Sequence, residues 1–269
     1  MIRVAKDAVL CVALAWLLLG CEPELVAGAW TCGAAPLVTV SEDSGIPAAT
    51  SEAISVPWST SFEDGFCGYK AARGFCYSDP DASYELSAAV VRTGRRAAAF
   101  SINTDPEREG RQARCVREGI LPAEAYYGAW FYVPIATTNE GNWNLMHFQG
   151  YRDGGLPSLW DVSIDDADDD RFHLTVRDFL REERLLEPEN AEVRVGEWFR
   201  VDFYLRRAAD ETGEVALYVN GQQVLLLSDL VTDNTSWGQW YVGNLGSHSA
   251  LRPEESVVYV DDVSIRDSL

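Results

Sequence analysis

The sequence predicts an all-β fold in which two antiparallel sheets pack face to face as a β-sandwich or jelly roll. Three observations predict it. Apolar and polar residues alternate with period two along many short segments, the spacing that sends successive side chains to opposite faces of a strand. Asn220-Gly221 separates two such segments, and both residues tolerate the positive φ that a type I′ hairpin turn requires. Helical periodicity is scarce, with only 181–186 offering a short turn. Strands with a single apolar face must bury it against a second sheet.

The chain begins with Arg3 and Lys6 ahead of an unbroken apolar run, Ala8 to Leu19. That run is short of the roughly 20 apolar residues a membrane-spanning helix needs, and it fits the apolar stretch of a signal peptide. It ends in Leu18-Leu19-Gly20-Cys21, which resembles the bacterial lipobox. The resemblance implies a signal peptide over 1–20 and a lipid on Cys21 that holds the protein to a membrane. Glu22, rather than Asp, after the cysteine implies placement at the outer membrane or cell surface. Residues 21–57, rich in Ala, Pro, Ser, Thr and Gly, read as the lipidated start and a flexible tether. Residues 58–269 then form one large β domain, without internal repeat or second linker, expected to be a monomer.

Strands are expected over 126–133, 143–149, 160–164, 172–177, 199–205, 215–219, 222–227 and 257–265. In 143–149 the apolar Met146 and Phe148 take the core face, which sends Leu145, His147 and Gln149 to the other. Trp160, Val162 and Ile164 oppose Asp161 and Ser163 in the same way. Tyr126, Trp130 and Tyr132 share one strand face, and read either as a sugar-stacking stripe or as core.

Export puts the cysteines in an oxidising compartment. Setting Cys21 aside, Cys32, Cys67, Cys76 and Cys115 remain, and Cys67 with Cys76, close in sequence, is the expected disulfide. No CxxC spacing points to zinc. The formal net charge of −20 repels nucleic acid, so no nucleic-acid partner is expected.

Ser61-Phe62-Glu63-Asp64-Gly65 and Val258-Tyr259-Val260-Asp261-Asp262-Val263-Ser264-Ile265 resemble the two ends of jelly-roll carbohydrate-active domains, whose first and last strands run side by side. Between them, Tyr126 to Pro134, Asn142 to Gly150 and Gly196-Glu197-Trp198-Phe199 resemble the concanavalin A-like polysaccharide lyases, among them alginate, glucuronan and heparin lyases. The resemblance covers most of 60–266. It implies a concanavalin A-like jelly roll that engages an extracellular polysaccharide and cleaves uronate glycans by β-elimination. The alternative is a non-catalytic carbohydrate-binding or adhesive lipoprotein.

β-Elimination needs a group to neutralise the uronate carboxylate, a base for the C5 proton and an acid for the leaving O4. His147-Phe148-Gln149 resembles, in reverse order, the Gln-x-His element of alginate lyases. Arg111 and Arg114 stand where lyases carry an arginine-bearing strand, here without its acidic partner. The catalytic set is therefore His147, Gln149, Arg114 and Tyr241, the last as acid with Tyr127 in reserve. Asn144, Trp143, Tyr127 and Arg111 are the expected substrate contacts. Glu63 and Asp64 meet Asp261 and Asp262 where the domain ends join, and such carboxylates repel unless a cation or arginine stands between them. Jelly-roll modules often hold a structural calcium there, so Ca²⁺ is the one expected cofactor.

Overall fold

Period-two alternation becomes strand after strand in the computed structural model, which describes residues 53–269 apart from 71–73, 105–110, 140, 154, 169, 182–183 and 248–250. The signal peptide, Cys21, Cys32 and the tether as far as residue 52 lie outside the described residues. The chain runs β1 (Trp58–Thr60), α1 (Cys67–Lys70), β2 (Gly74–Ser78), β3 (Ala82–Ser87), β4 (Ala97–Asn103), β5 (Arg111–Gly119) and β6 (Glu124–Tyr132). It continues through β7 (Thr138–Asn139), β8 (Asn142–Tyr151), β9 (Ser158–Asp168), β10 (Arg171–Asp178), β11 (Arg184–Leu186), β12 (Glu192–Arg194) and β13 (Trp198–Arg206). The last strands are β14 (Gly213–Val219), β15 (Gln222–Leu230), β16 (Trp237–Ser247), β17 (Leu251–Arg252) and β18 (Glu255–Arg266).

These strands build the expected antiparallel sandwich. The first sheet has the order β15-β14-β13-β6-β18-β4-β3, with β1 also on β18. The second has the order β11-β10-β9-β8-β16-β5-β2, with β12 also on β10. The first and last strands run side by side, Trp58 opposite Ile265. Asn220 and Gly221 turn the β14–β15 hairpin with φ of 51° and 80°.

Large aromatic side chains close the space between the sheets. Tyr127 of the first sheet meets Phe148 and Trp240 of the second edge to face, at 5.0 and 5.2 Å between ring centroids. Phe203 packs 5.0 Å from Phe148. Burying one such side chain is worth about 1.5–3 kcal/mol, so this layer supplies a large part of the folding free energy. The stripe of Tyr126, Trp130 and Tyr132 lies half-buried on the outer face of the first sheet, its parity opposite to that of Tyr127 and Phe131 in the core.

The domain starts five residues earlier than the composition suggested. Ile54 is buried in the core and its N–H donates to Ile120 O at 2.9 Å, while Ala53 bridges Ile120. The expected Cys67–Cys76 disulfide is also corrected. Cys76 on β2 lies directly opposite Cys115 on β5, with Cα atoms 4.0 Å apart, and the two are bonded to each other. Cys67 is disulfide-bonded too, so its partner is not Cys76. Strand register brought together two cysteines 39 residues apart, which nearness in sequence could not reveal. Replacing Cys76 and Cys115 together by serine is expected to lower stability by about 2–4 kcal/mol, read as a fall in the urea midpoint. An unchanged midpoint would remove this bond from the account.

The terminal carboxylates come together as expected, but backbone amides stand between them. Glu63 Oε1 accepts the N–H groups of Arg95 and Arg96, at 2.7 and 3.0 Å. Asp261 Oδ2 accepts those of Arg92 and Thr93, both at 3.1 Å, and Asp262 accepts the Thr93 hydroxyl at 2.9 Å. Arg95 also pairs with Glu63 at 3.6 Å, and Asp64 is exposed. The 92–96 loop thus links carboxylates from both ends of the domain, and among the described residues no three His, Cys, Asp or Glu side chains group as metal ligands.

Candidate active site

A cleft of about 720 Å³ lies on the second sheet, on the face turned away from the core. Its floor is a row of side chains in direct register across four adjacent strands. Tyr241 on β16 stands opposite His147 on β8, His147 opposite Asp161 on β9, and Asp161 opposite Arg177 on β10. Neighbouring strands are about 4.8 Å apart, so residues in one row on one face touch. Arg114 on β5 and Tyr77 on β2, themselves opposite one another, extend the floor on the far side of Tyr241.

A bulge in β8 decides which residues reach this floor. Asn144 pairs with Ser163 and Met146 with Val162, so one extra residue, Leu145, is accommodated in between. Beyond the bulge, Met146 and Phe148 face the core while His147 and Gln149 face the cleft, as parity predicts. Before it the parity is reversed. Asn144 faces the cleft, and Leu145 and Trp143 join the core. The expected role of Trp143 as a substrate contact is therefore corrected: it is buried, meets Phe172 edge to face at 5.6 Å and donates its indole N–H to Asn244 Oδ1 at 2.9 Å.

A matching shift in β16 falls between Val242 and Leu245. There Gly243 has a φ of 152°, and a Cβ would lie 2.4 Å from Ala113 O and 2.8 Å from Arg114 Cα. Only glycine allows β16 and β5 to close at this point, beside Arg114.

Two further substrate contacts are corrected. Arg111 and Arg114 are three residues apart on one strand, so period two puts them on opposite faces. Arg114 lines the cleft, whereas Arg111 pairs with Asp81 at 3.3 Å. Tyr127 belongs to the first sheet and is buried between the sheets. His147, Gln149, Arg114, Tyr241 and Asn144 do line one cleft. Sequence reasoning missed Asp161, Arg177, Asn142 and Tyr77. Their parity was available for Asp161, but nothing in the sequence said that β9 lies beside β8.

Asp161 organises the centre of the cleft. It is buried, and one oxygen bonds His147 Nδ1. The other accepts from Asn142 Nδ2 at 2.9 Å and Asn144 Nδ2 at 3.1 Å. Burial by itself would raise the Asp161 carboxyl, but the His147 imidazole, the hydrogen bonds from His147 and Asn142, and the charge of Arg114 outweigh it and hold the carboxyl below its ordinary value of 3.8. An ionised Asp161 obliges Nδ1 to carry the proton, which leaves Nε2 as the acceptor of the neutral ring.

A depressed carboxyl stabilises the fold above the ordinary carboxylate pKa and loses that contribution as pH falls through the lowered value. Asp161→Asn should thus show a shallower loss of melting temperature below pH 4 than the parent. Parallel acid limbs would mean that the Asp161 environment differs little from that of the unfolded chain.

Tyr241 faces His147 with ring centroids 5.2 Å apart. Its hydroxyl lies 2.8 Å from Gln149 Oε1 and 2.5 Å from Gln239 Oε1. Burial first, then Tyr77 and Glu118, push the phenol well above its ordinary value against the opposing charge of Arg114. It is a proton donor at neutral pH. The buried guanidinium of Arg114 lies 5.2 Å from the Tyr241 ring centroid, and its Nε has no hydrogen-bond partner among the described residues. The same holds, among the described residues, for the Nε of Arg177. The cleft therefore combines an acceptor nitrogen, a protonated phenol and arginine N–H groups without partners, in a chain whose net charge is −20.

A family model described as polysaccharide lyase matches residues 59–264. The chain belongs to the polysaccharide lyase family. Among solved structures, an endo-β-1,4-glucuronan lyase from the fungus Trichoderma reesei is 18% identical with a TM-score of 0.59, over 72% of this chain and 90% of that one. An alginate lyase mutant in complex with alginate trisaccharide is 10% identical with a TM-score of 0.55, over 80% of this chain and 100% of that one. The cellulose-induced protein Cip1 is 12% identical with a TM-score of 0.54, over 78% of this chain and 97% of that one. At these identities the likeness is one of fold. No curated protein sequence matches the chain. The family membership accounts for the shared jelly roll, and the row Tyr241–His147–Asp161–Arg177 is read from the strand register of this chain.

Proposed function

We propose that this lyase-family protein cleaves a uronate-containing polysaccharide by β-elimination in the cleft of the second sheet. The observation that carries the reading is His147, its tautomer fixed by Asp161, in register with the protonated Tyr241 and in one cleft with the Arg114 guanidinium. Arg114 neutralises the substrate carboxylate and so acidifies the proton on C5. His147 Nε2 takes that proton, the electron pair of the C–H bond becomes the C4–C5 double bond, and the C4–O4 bond breaks. Tyr241 gives its proton to O4. Gln149 belongs to the catalytic set through its place beside Tyr241 rather than through a contact with the substrate carboxylate. Its Nε2 donates to Leu156 O at 3.0 Å and its Oε1 lies 2.8 Å from the Tyr241 hydroxyl, so its N–H is turned away from the acid. Asn144 positions Asp161. Glucuronan and alginate, named for two lyases of like fold, are the first substrates to try.

The test is the ultraviolet absorbance of the unsaturated product after incubation with glucuronan, alginate, pectate and glycosaminoglycans. Product from at least one is expected. No product from any of them, with binding to one retained, would make the protein a non-catalytic glycan binder. The reading includes an exported, lipid-anchored chain. The mature protein should begin with acylated Cys21, and mass spectrometry finding a different first residue would remove the anchor.

A further inference from the structure

The Tyr241 hydroxyl has one proton and two amide oxygens to give it to, Gln239 Oε1 at 2.5 Å and Gln149 Oε1 at 2.8 Å. Each amide is fixed from behind. Gln149 Nε2 donates to the carbonyl of Leu156 at 3.0 Å, and Gln239 Nε2 donates to Glu118 Oε2 at 3.0 Å. Neither can turn its NH₂ toward the phenol without setting an oxygen against the acceptor it leaves. Only one acceptor can receive the proton, and the other faces the phenol oxygen lone pair to lone pair. Gln239 has the shorter contact and is buried at 7% exposure, whereas Gln149 is only half-buried.

We infer that Gln239, clamped by Glu118, is a positioning residue that fixes the direction of the Tyr241 O–H in the resting cleft and leaves Gln149 Oε1 without that proton. The inference rests on the β-elimination reading for its kinetic consequence but not for its structural one. Glu118 acts through the amide: as an acceptor it keeps Gln239 Nε2 on its own side and Oε1 on the phenol. With that acceptor gone, the amide can turn and donate to the phenol oxygen, which favours the phenolate. The other titratable or charged groups around the phenol are Arg114 from β5, Tyr77 from β2 and His147 from β8, with Asp161 and Arg177 beyond it. All of these stay in place in the variants below.

The test uses Gln239→Leu, Glu118→Ala and Glu118→Gln in the full chain, each with a melting curve to establish folding. A phenol bound to a buried oxygen should give a downfield, slowly exchanging hydroxyl proton in the NMR spectrum, assigned by its loss in Tyr241→Phe. The signal should shift in Gln239→Leu, where the proton can pass only to the half-buried Gln149 Oε1, weaken in Glu118→Ala and persist in Glu118→Gln, whose amide oxygen can still accept from Gln239. In turnover on a susceptible glycan, Gln239→Leu should lose about tenfold in kcat with little change in KM, the equivalent of one buried hydrogen bond. The alkaline limb of the kcat profile should also move to lower pH in Gln239→Leu and Glu118→Ala, and by less in Glu118→Gln, which loses the Glu118 charge but keeps an acceptor for the Gln239 amide. A hydroxyl signal unchanged in a folded Gln239→Leu overturns the inference whether or not the protein proves to be a lyase. Absence of turnover in the parent overturns only the β-elimination reading.

Discussion

Replacing His147 by alanine is expected to cut turnover on a susceptible uronate glycan by about 10²–10⁴-fold, the usual worth of a general acid–base group. The loss should fall on kcat, because His147 meets the C5 proton in the transition state and does not hold the substrate carboxylate. Stability should fall as well. His147 is a principal partner of the buried Asp161, and a buried carboxylate stripped of a partner is costly. The double variant His147→Ala/Asp161→Asn separates the two effects: melting temperature should recover toward the parent while turnover stays lost. Asp161→Asn alone should lower turnover and leave glycan binding intact, since it removes the charge that fixes the histidine tautomer. A His147→Ala enzyme with parental kcat would end its assignment as the base.

Trp143→Ala carries the largest expected effect on stability, a loss of about 3–5 kcal/mol by equilibrium unfolding. Its indole is fully buried against Phe172, and its N–H satisfies Asn244, whose amide in turn donates to Phe100 O and Ser256 O of the first sheet. Removing it leaves a cavity and an unsatisfied buried oxygen together. KM should not change in whatever fraction remains folded. The opposite pattern, a raised KM with near-parental stability, is what a sugar-stacking tryptophan would give, and it would place Trp143 back in the cleft.

These two residues mark where sequence reasoning held and where it stopped. His147, Phe148 and Gln149 lie on one side of the β8 bulge, and period two placed all three correctly. Trp143 lies on the other side, where the extra residue inverts the parity. No composition signal marks that bulge, because it answers to the pairing with β9. Arg111 and Arg114 were separable by parity alone, since three residues on a strand span opposite faces. Their shared assignment to the substrate came from the family resemblance.

By itself the sequence determined the all-β sandwich, the hairpin at Asn220-Gly221, and the cleft-facing side of His147 and Gln149, while the pairing of first and last strands came from the family resemblance. The sandwich, the hairpin and the cleft-facing side follow from local rules: alternation, turn conformation and the apolar face of a strand. Only the tertiary structure decided that Cys76 bonds Cys115, that Asp161 holds His147, that Gln239 meets Tyr241 and that the 92–96 loop bridges Glu63 and Asp261. Except for Gln239 and Tyr241, neighbours on one strand face whose hold also depends on Glu118 of β5, each joins residues from different strands or from a strand and a distant loop. Sheet order and register set their distances, and those depend on every pairing in the sandwich at once.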